Sequence, residues 1–191
     1  IEFTSIAAVV MACGAAVSLA VQGGLSNLVG GIIILFNKPF VPGDYIVIPG
    51  SDIEGTVAKI EMYYTTIVSM RNETHLIPNS CLTNNSITNT TTLGKRKIIS
   101  SVSISYDSDL KKAQEVVRGI IDSDENVIDK ENTRVVVDSL AESSVEIGYW
   151  AFVRPTDYMP VKWRLNENIK LALDEAGITI PFNQLDVHIT N

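Results

Sequence analysis

Residues 3–37 read FTSIAAVVMACGAAVSLAVQGGLSNLVGGIIILFN and contain no charged side chain. About 20 apolar residues are enough for a helix to cross a bilayer, so this stretch predicts a membrane segment. A signal peptide is disfavoured, because Glu2 precedes the stretch and the stretch far exceeds the apolar core of such a peptide. Within it, Gln22-Gly23-Gly24 predicts a break, which gives a spanning helix, a glycine kink and a second, amphipathic helix over residues 25–37.

Small residues recur at helical intervals in the first half of this stretch. They form two stripes on the predicted helix: Ala8, Ala12, Ala16 and Ala20, and then Gly14 with Ser18. At 100° per residue, the stripes flank a narrow apolar strip of Met11, Ala15 and Leu19. Small flanks let helices approach closely in a membrane, and two different flanks favour a head-to-tail ring with the strip facing its axis. Such a strip would form a hydrophobic constriction. Packing against other helices of the same subunit explains the small residues equally well.

The rest of the chain predicts two soluble domains and a tail. Residues 44–92 contain short β-branched runs separated by Gly, Pro and Asn, which predict a small β-barrel or sandwich. From residue 97 the pattern changes to strand, helix, two strands and helix, an α+β layer. The stretch Asp107-Ser108-Asp109 offers an N-cap for its first helix, and Gly177 is the predicted C′ residue after its second. The tail alternates like a strand over 184–190, and a single terminal strand must pair with something.

Charge and composition exclude several classes of function. The net charge of −7 argues against non-specific nucleic-acid binding, which needs a basic face. The two cysteines and two histidines have no metal-ligand spacing, so we expect no metal site and no cofactor.

Several separated motifs, in order along nearly the whole chain, resemble the bacterial small-conductance mechanosensitive channel family. The motifs with the clearest resemblance are Gln22-Gly23-Gly24-Leu25-Ser26-Asn27-Leu28, Asn37-Lys38-Pro39-Phe40, Gly55-Thr56-Val57, Ile77-Pro78-Asn79-Ser80 and Tyr106-Asp107-Ser108-Asp109. The resemblance implies a homoheptamer in the bacterial inner membrane, opened by membrane tension to release ions and small osmolytes on hypo-osmotic shock. It further implies cytoplasmic soluble domains, contact with membrane lipids, and additional membrane helices before the pore helix.

The resemblance also implies a domain division and residue roles. The pore segment and an interfacial helix would occupy 1–37, the middle β-domain 38–97, the α/β domain of a hollow cage 98–180, and an intersubunit barrel strand 181–191. Leu19 matches one gate leucine of the family, whereas Ala15 stands at the other gate position. We therefore expect a thinner seal or a contribution from Met11. The remaining matches are Gly14 on the helix flank, where Ser18 replaces the next glycine, Gly23 and Gly31 at the two kinks, and Asn27 at a contact with the β-domain.

Two other classes of protein remain as alternatives. One is a membrane-anchored ring or binding module whose β-domain resembles Sm-type RNA-binding rings, although the acidic charge balance counts against RNA. The other is a membrane-anchored enzyme, but the sequence shows no set of nucleophile, base and orienting residue. Its carboxylates Asp107, Asp109, Asp122 and Asp124 lie around a surface helix, where solvation and N-capping are the usual roles.

Overall fold

The computed structural model describes residues 3–185, 187 and 188 and divides the chain into two compact units. Unit 1 is Ile1–Thr92 and unit 2 is Leu93–Asn191. The division falls five residues before the expected start of the second soluble domain at 98, because the first strand of unit 2 already begins at Arg96. The long apolar helix belongs to the same unit as the middle β-domain.

The uncharged stretch forms a single helix, α1, over Phe3–Asn37. This corrects the predicted break at Gln22-Gly23-Gly24, since the helix runs through these residues without interruption. The physical reason is that glycine keeps its N–H and costs only about 1 kcal/mol per residue in a helix, unlike proline. In apolar surroundings every backbone group also needs an internal partner, which favours an uninterrupted helix. Lys38 follows in a left-handed conformation (φ 47°), and its N–H bonds to the Ile34 carbonyl at 2.9 Å.

The β-domain of unit 1 is a five-stranded antiparallel sheet with a short helix. Its elements are β1 (Tyr45–Val47), β2 (Glu54–Ile60), β3 (Tyr64–Val68), β4 (Thr74–Pro78), α2 (Asn79–Asn84) and β5 (Thr88–Asn89). The strand order is β4-β3-β2-β1-β5, so β4 and β5 lie at the two ends of the sheet. Alternate strand residues such as Ile46 and Ile67 form a buried core. Ile34 of α1, Leu82 of α2 and Phe40, which follows α1, belong to the same core. Each of the two helices therefore contributes an apolar side chain to the core of the β-domain.

Unit 2 is an α+β layer, as the periodicity predicts. Its elements are β6 (Arg96–Ile104), α3 (Leu110–Ser123), β7 (Val127–Ile128), β8 (Arg134–Leu140), β9 (Val145–Val153) and α4 (Tyr158–Glu175). Strand β9 is central: β6 pairs with its whole length, and β8 and β7 share its other edge, all antiparallel. The apolar faces of α3 and α4 join the alternate residues of β6 and β9 in one core.

Both predicted helix caps in unit 2 are confirmed, and within the stretch Asp107-Ser108-Asp109 the structure shows that Asp109 is the capping residue. The Asp109 carboxylate accepts a hydrogen bond from the Lys112 N–H at 3.0 Å. Gly177 has φ +71°, its N–H bonds to the Asp174 carbonyl, and the Ile178 N–H bonds to the Leu173 carbonyl at 2.8 Å. These two bonds form a Schellman motif, which needs a residue that tolerates the left-handed conformation.

The predicted tail strand over 184–190 is only partly covered by the described residues. Residues 181–185, 187 and 188 form no strand within the single chain, and Gln184 N donates to Ser143 Oγ at 3.1 Å. Positions 186 and 189–191 lie outside the described residues. Pairing of this tail between chains stays a prediction.

Candidate pore helix and its seat on the β-domain

The apolar helix is long enough to cross a membrane. The candidate span, Ile6–Asn37, has 32 residues and a mean hydropathy of 2.0. At 1.5 Å per residue it is about 48 Å long, well over the roughly 30 Å of a bilayer core. Side chains 8–26 are exposed in the single chain, whereas one face of the remaining helix, with Asn27, Gly30, Gly31 and Ile34, contacts the β-domain. The part of this span before Asn27, residues 6–26, is about 32 Å long at the same rise, so the first part of α1 has the length and the free surface of a membrane segment.

The predicted pore strip lies on this free part of α1. Met11 is 69% exposed and Leu19 is 71% exposed, and Ala15 between them is exposed as well. The small residues of both flanks are also exposed: Ala8, Ala12, Ala16 and Ala20, and Gly14 with Ser18. A Cβ added at Gly14 would meet no heavy atom of the described residues within 4 Å. The roles of strip and flanks therefore stay predictions about contacts between chains.

The second part of α1 lies on a surface of the β-domain that we call the seat. The seat consists of residues 61–63, between β2 and β3, and residues 79–80, at the start of α2. Asn27 Oδ1 accepts hydrogen bonds from Ser80 N at 3.0 Å and Ser80 Oγ at 2.6 Å. The start of α2 lacks a side-chain cap of its own, because its N-cap position is Pro78. Asn27 thus supplies from α1 the acceptor that a helix N-terminus needs.

Two glycines allow α1 to approach the seat closely. A Cβ at Gly30 would lie 2.8 Å from the Asn79 carbonyl carbon and 2.8 Å from Ser80 N. A Cβ at Gly31 would lie 2.5 Å from the Met62 carbonyl oxygen and 2.6 Å from Asn79 Nδ2. Only a residue without a Cβ fits at these distances. Positions 27, 30, 31 and 34 lie on one face of the helix, so Ile34 enters the β-domain core on the same side.

The two predicted kink glycines have different surroundings. Gly31 is packed against the seat, whereas a Cβ at Gly23 or Gly24 would meet nothing among the described residues within 4 Å. The Gly23 carbonyl, which lies within α1, accepts a hydrogen bond from the side-chain Nδ2 of Asn27 at 3.0 Å. Gly31 therefore serves close packing in this structure, and a hinge at Gly23 stays a prediction.

Sequence reasoning missed the seat itself. It did not single out Gly30 or Asn79 for this contact, and it did not predict α2. Asn79–Asn84 contains Asn, Ser and Thr, which are weak helix formers, and Leu82 is its one strongly apolar anchor. The signal that points to it is the pair of adjacent glycines at 30 and 31, outside any predicted turn, because such glycines often mark close backbone approach.

Two of the carboxylates considered above, Asp122 and Asp124, pair with arginine side chains within unit 2. Arg118 Nε donates to Asp122 Oδ2 at 2.7 Å, and Arg164 donates from two nitrogens to the Asp124 carboxylate at 2.8 Å. Burial raises the pKa of Asp124, but the hydrogen bonds from Arg164 and Asn126 and the nearby positive charges outweigh it and hold the pKa below the usual value for an aspartate. Among residues 3–185, 187 and 188, no group of three or more His, Cys, Asp or Glu residues is placed to hold a metal ion.

The chain is similar to known proteins over both of its soluble domains. Residues 24–92 match the family profile described as mechanosensitive ion channel, beta-domain. Residues 98–180 match the profile described as mechanosensitive ion channel MscS, C-terminal.

Similar sequences and a similar solved structure carry the same names. The small-conductance mechanosensitive channel of Helicobacter pylori is 32% identical over 193 residues, covering 100% of this chain and 69% of that protein. The channel of the same name from Edwardsiella ictaluri is 31% identical, over 93% of this chain and 62% of its own length. The crystal structure of Helicobacter pylori MscS in the closed state has a TM-score of 0.91 at 31% identity, covering 100% of this chain and 75% of that one. The chain spans 61% to 63% of the length of three curated relatives it matches.

Proposed function

Since this chain belongs to the MscS family of mechanosensitive ion channels, we propose that it supplies the pore helix and soluble domains of a channel opened by membrane tension. Open channels would release ions and small osmolytes from a cell swollen by hypo-osmotic shock. The observation that supports this most directly is α1, an apolar helix that joins a free membrane-length segment to a β-domain through a close-packed seat. The family is one of ion channels rather than of enzymes.

The proposed pore is a ring of α1 segments from several copies of the chain. The stripe Ala8, Ala12, Ala16 and Ala20 of one copy would pack on the Gly14 and Ser18 flank of the next, because small residues let helices approach closely. Two different contact surfaces on one helix make the contact head-to-tail, and head-to-tail contacts can close into rings. We propose seven copies, the number implied by the resemblance.

The proposed gate is the apolar strip on the inner side of that ring. Leu19 has a bulky side chain on the strip, and Met11 lies two turns before it, with the small Ala15 between them. A narrow apolar constriction excludes water and so blocks ions without closing sterically. Tension favours a state of larger area in the membrane plane, in which the ring widens at Leu19 and becomes wet.

The proposed setting is the bacterial inner membrane, with both soluble domains in the cytoplasm. Lys38, the first charged residue after α1, supports this orientation because cationic residues are enriched on the cytoplasmic side. The tail over 184–190 would pair with its copies in a barrel, which would give a terminal strand the partners it needs. The partners of the chain would then be its own copies, membrane lipids and the permeating solutes, without nucleic acid.

Two measurements on the full-length protein test the proposal. The mass of the purified complex in detergent should correspond to seven copies, and suction on membrane patches containing the protein should activate a current. A monomer in detergent would remove the basis for a ring. A heptamer without any current under suction would instead favour the ring-shaped module without channel activity.

A further inference from the structure

Asn79 is fully buried at the centre of the seat, and its polar groups form hydrogen bonds with other residues of the β-domain. Its Oδ1 accepts a hydrogen bond from Thr65 Oγ1 at 2.8 Å, and Thr65 is itself fully buried. Its Nδ2 donates to the Glu61 carbonyl at 2.8 Å, and its backbone N–H donates to the Tyr63 carbonyl at 3.0 Å. A buried amide is stable only when it is hydrogen-bonded, so these contacts fix its position.

Asn79 connects the two segments of the seat that α1 contacts, residues 61–63 and residues 79–80. Gly31 lies against the Met62 carbonyl, between the two residues whose carbonyls Asn79 binds, and also against Asn79 Nδ2. Gly30 lies against the backbone of Asn79 and Ser80. The Asn79 carboxamide therefore sets the spacing between the two halves of the seat. If that spacing changed, the two glycines could not contact both halves.

We propose that Asn79, held by Thr65, is a positioning residue of the channel, an inference that rests on the proposed function. It keeps α1 from Asn27 to Ile34 and the β-domain moving as one body. Movement of the pore segment is then taken up before Asn27, at Gly23 and Gly24, where a Cβ would meet no neighbour within 4 Å in the described part of the chain. Because the second part of α1 stays on the β-domain, opening has to bend the helix at these glycines, and this bending adds to the tension that opening requires.

Thr65→Val in the full-length protein tests this role, because it keeps the shape of the side chain and removes the hydroxyl donor. Thr65→Ser retains the hydroxyl and is the conservative rescue. Thr66→Val is the matched control, since successive strand side chains point to opposite faces of the sheet. Leaving Asn79 Oδ1 without its buried donor should make amide hydrogen exchange over residues 27–37 at least about tenfold faster, with Thr65→Ser and Thr66→Val near the wild-type rate.

The second readout is the tension needed for half-maximal opening in membrane patches. Thr65→Val should lower it, because a pore helix that is no longer held on the β-domain can tilt as a whole without bending, and Thr65→Ser should restore it. Equal exchange rates in Thr65→Val and Thr66→Val would overturn the proposal. So would unequal exchange with equal tension thresholds, because Asn79 would then serve folding alone.

A second variant reaches the seat from the other side. Gly30→Ala presses a Cβ onto the Asn79 backbone without removing a hydrogen bond from the β-domain. It should speed exchange over residues 27–37 and lower the tension threshold even where Thr65→Val does not fold, and wild-type behaviour in both would overturn the proposal. If the wild-type protein gave no current under tension, the proposed channel function would fail, whereas the exchange rates would still decide whether Asn79 holds the seat.

Discussion

Gly31→Ala is the substitution whose effect the structure defines most closely. The new Cβ would lie 2.5 Å from the Met62 carbonyl oxygen, about 0.9 Å short of the 3.4 Å at which ordinary contact begins. It would also lie 2.6 Å from Asn79 Nδ2, a buried atom that donates to the Glu61 carbonyl. Neither neighbour is the free end of a flexible side chain, so α1 or the seat must move.

The expected cost follows from three contributions. Alanine in place of glycine favours the helix by about 1 kcal/mol. Overpacking of a close contact costs about 1–3 kcal/mol. Displacement of Asn79 Nδ2 from Glu61 leaves a buried polar group unsatisfied, at about 1–3 kcal/mol. The net loss is about 1–5 kcal/mol, which lowers the melting temperature of a domain of 60–100 residues by at least about 4 °C.

Calorimetry of the purified protein measures this effect, with Gly119→Ala as the control. Gly119 lies inside α3 of unit 2, and a Cβ there would meet no described heavy atom within 4 Å. The control should raise the unfolding temperature of unit 2 and leave that of unit 1 unchanged. An unchanged or raised melting temperature of unit 1 in Gly31→Ala would show that α1 does not rest on Met62 and Asn79, and the reasoning would fail.

Three further substitutions test the pore strip and unit 2. Leu19→Ser should lower the tension threshold in patch recordings by wetting the constriction, and an unchanged threshold would count against Leu19 as the gate. Arg164→Ala should cost unit 2 about 1.5 kcal/mol, because it removes a charged hydrogen-bonding partner from Asp124, whose side chain is 6% exposed. Since the pKa of Asp124 is lowered on folding, this contribution should be present above the pKa of an aspartate in the unfolded chain and disappear as the pH falls through the folded-state pKa. Equal acid sensitivity of wild type and Arg164→Ala would contradict it. Gly177→Ala, at φ +71°, should lower the unfolding free energy of unit 2 by about 1–2 kcal/mol in denaturant titration, and a neutral result would argue against the Schellman cap.

Sequence patterns over a few residues correctly predicted the strands, helices and helix caps that depend on neighbouring residues in the chain. The alternating residues of β6 and β9 and the apolar spacing of α3 and α4 appear in the structure as expected, and so do the caps at Asp109 and Gly177. These features depend on side-chain periodicity and on backbone conformations that few residues tolerate. The break at Gly23 was predicted from the same kind of pattern, but a glycine only weakens a helix, and α1 continues through it.

The sequence by itself determined that an uncharged, helix-forming stretch precedes two soluble domains, because charge and apolar periodicity are properties of the chain before it folds. Only the tertiary structure decided what each small residue of that helix does. Gly14 and Gly23 meet no neighbour within 4 Å in the described part of the chain, whereas Gly30 and Gly31 rest on backbone and on a buried amide from residues 62–80. Glycine has no side chain, so a sequence pattern does not indicate which residues it will contact. The contact of Gly30 and Gly31 with Asn79 is therefore seen only when segments far apart in the chain are brought together.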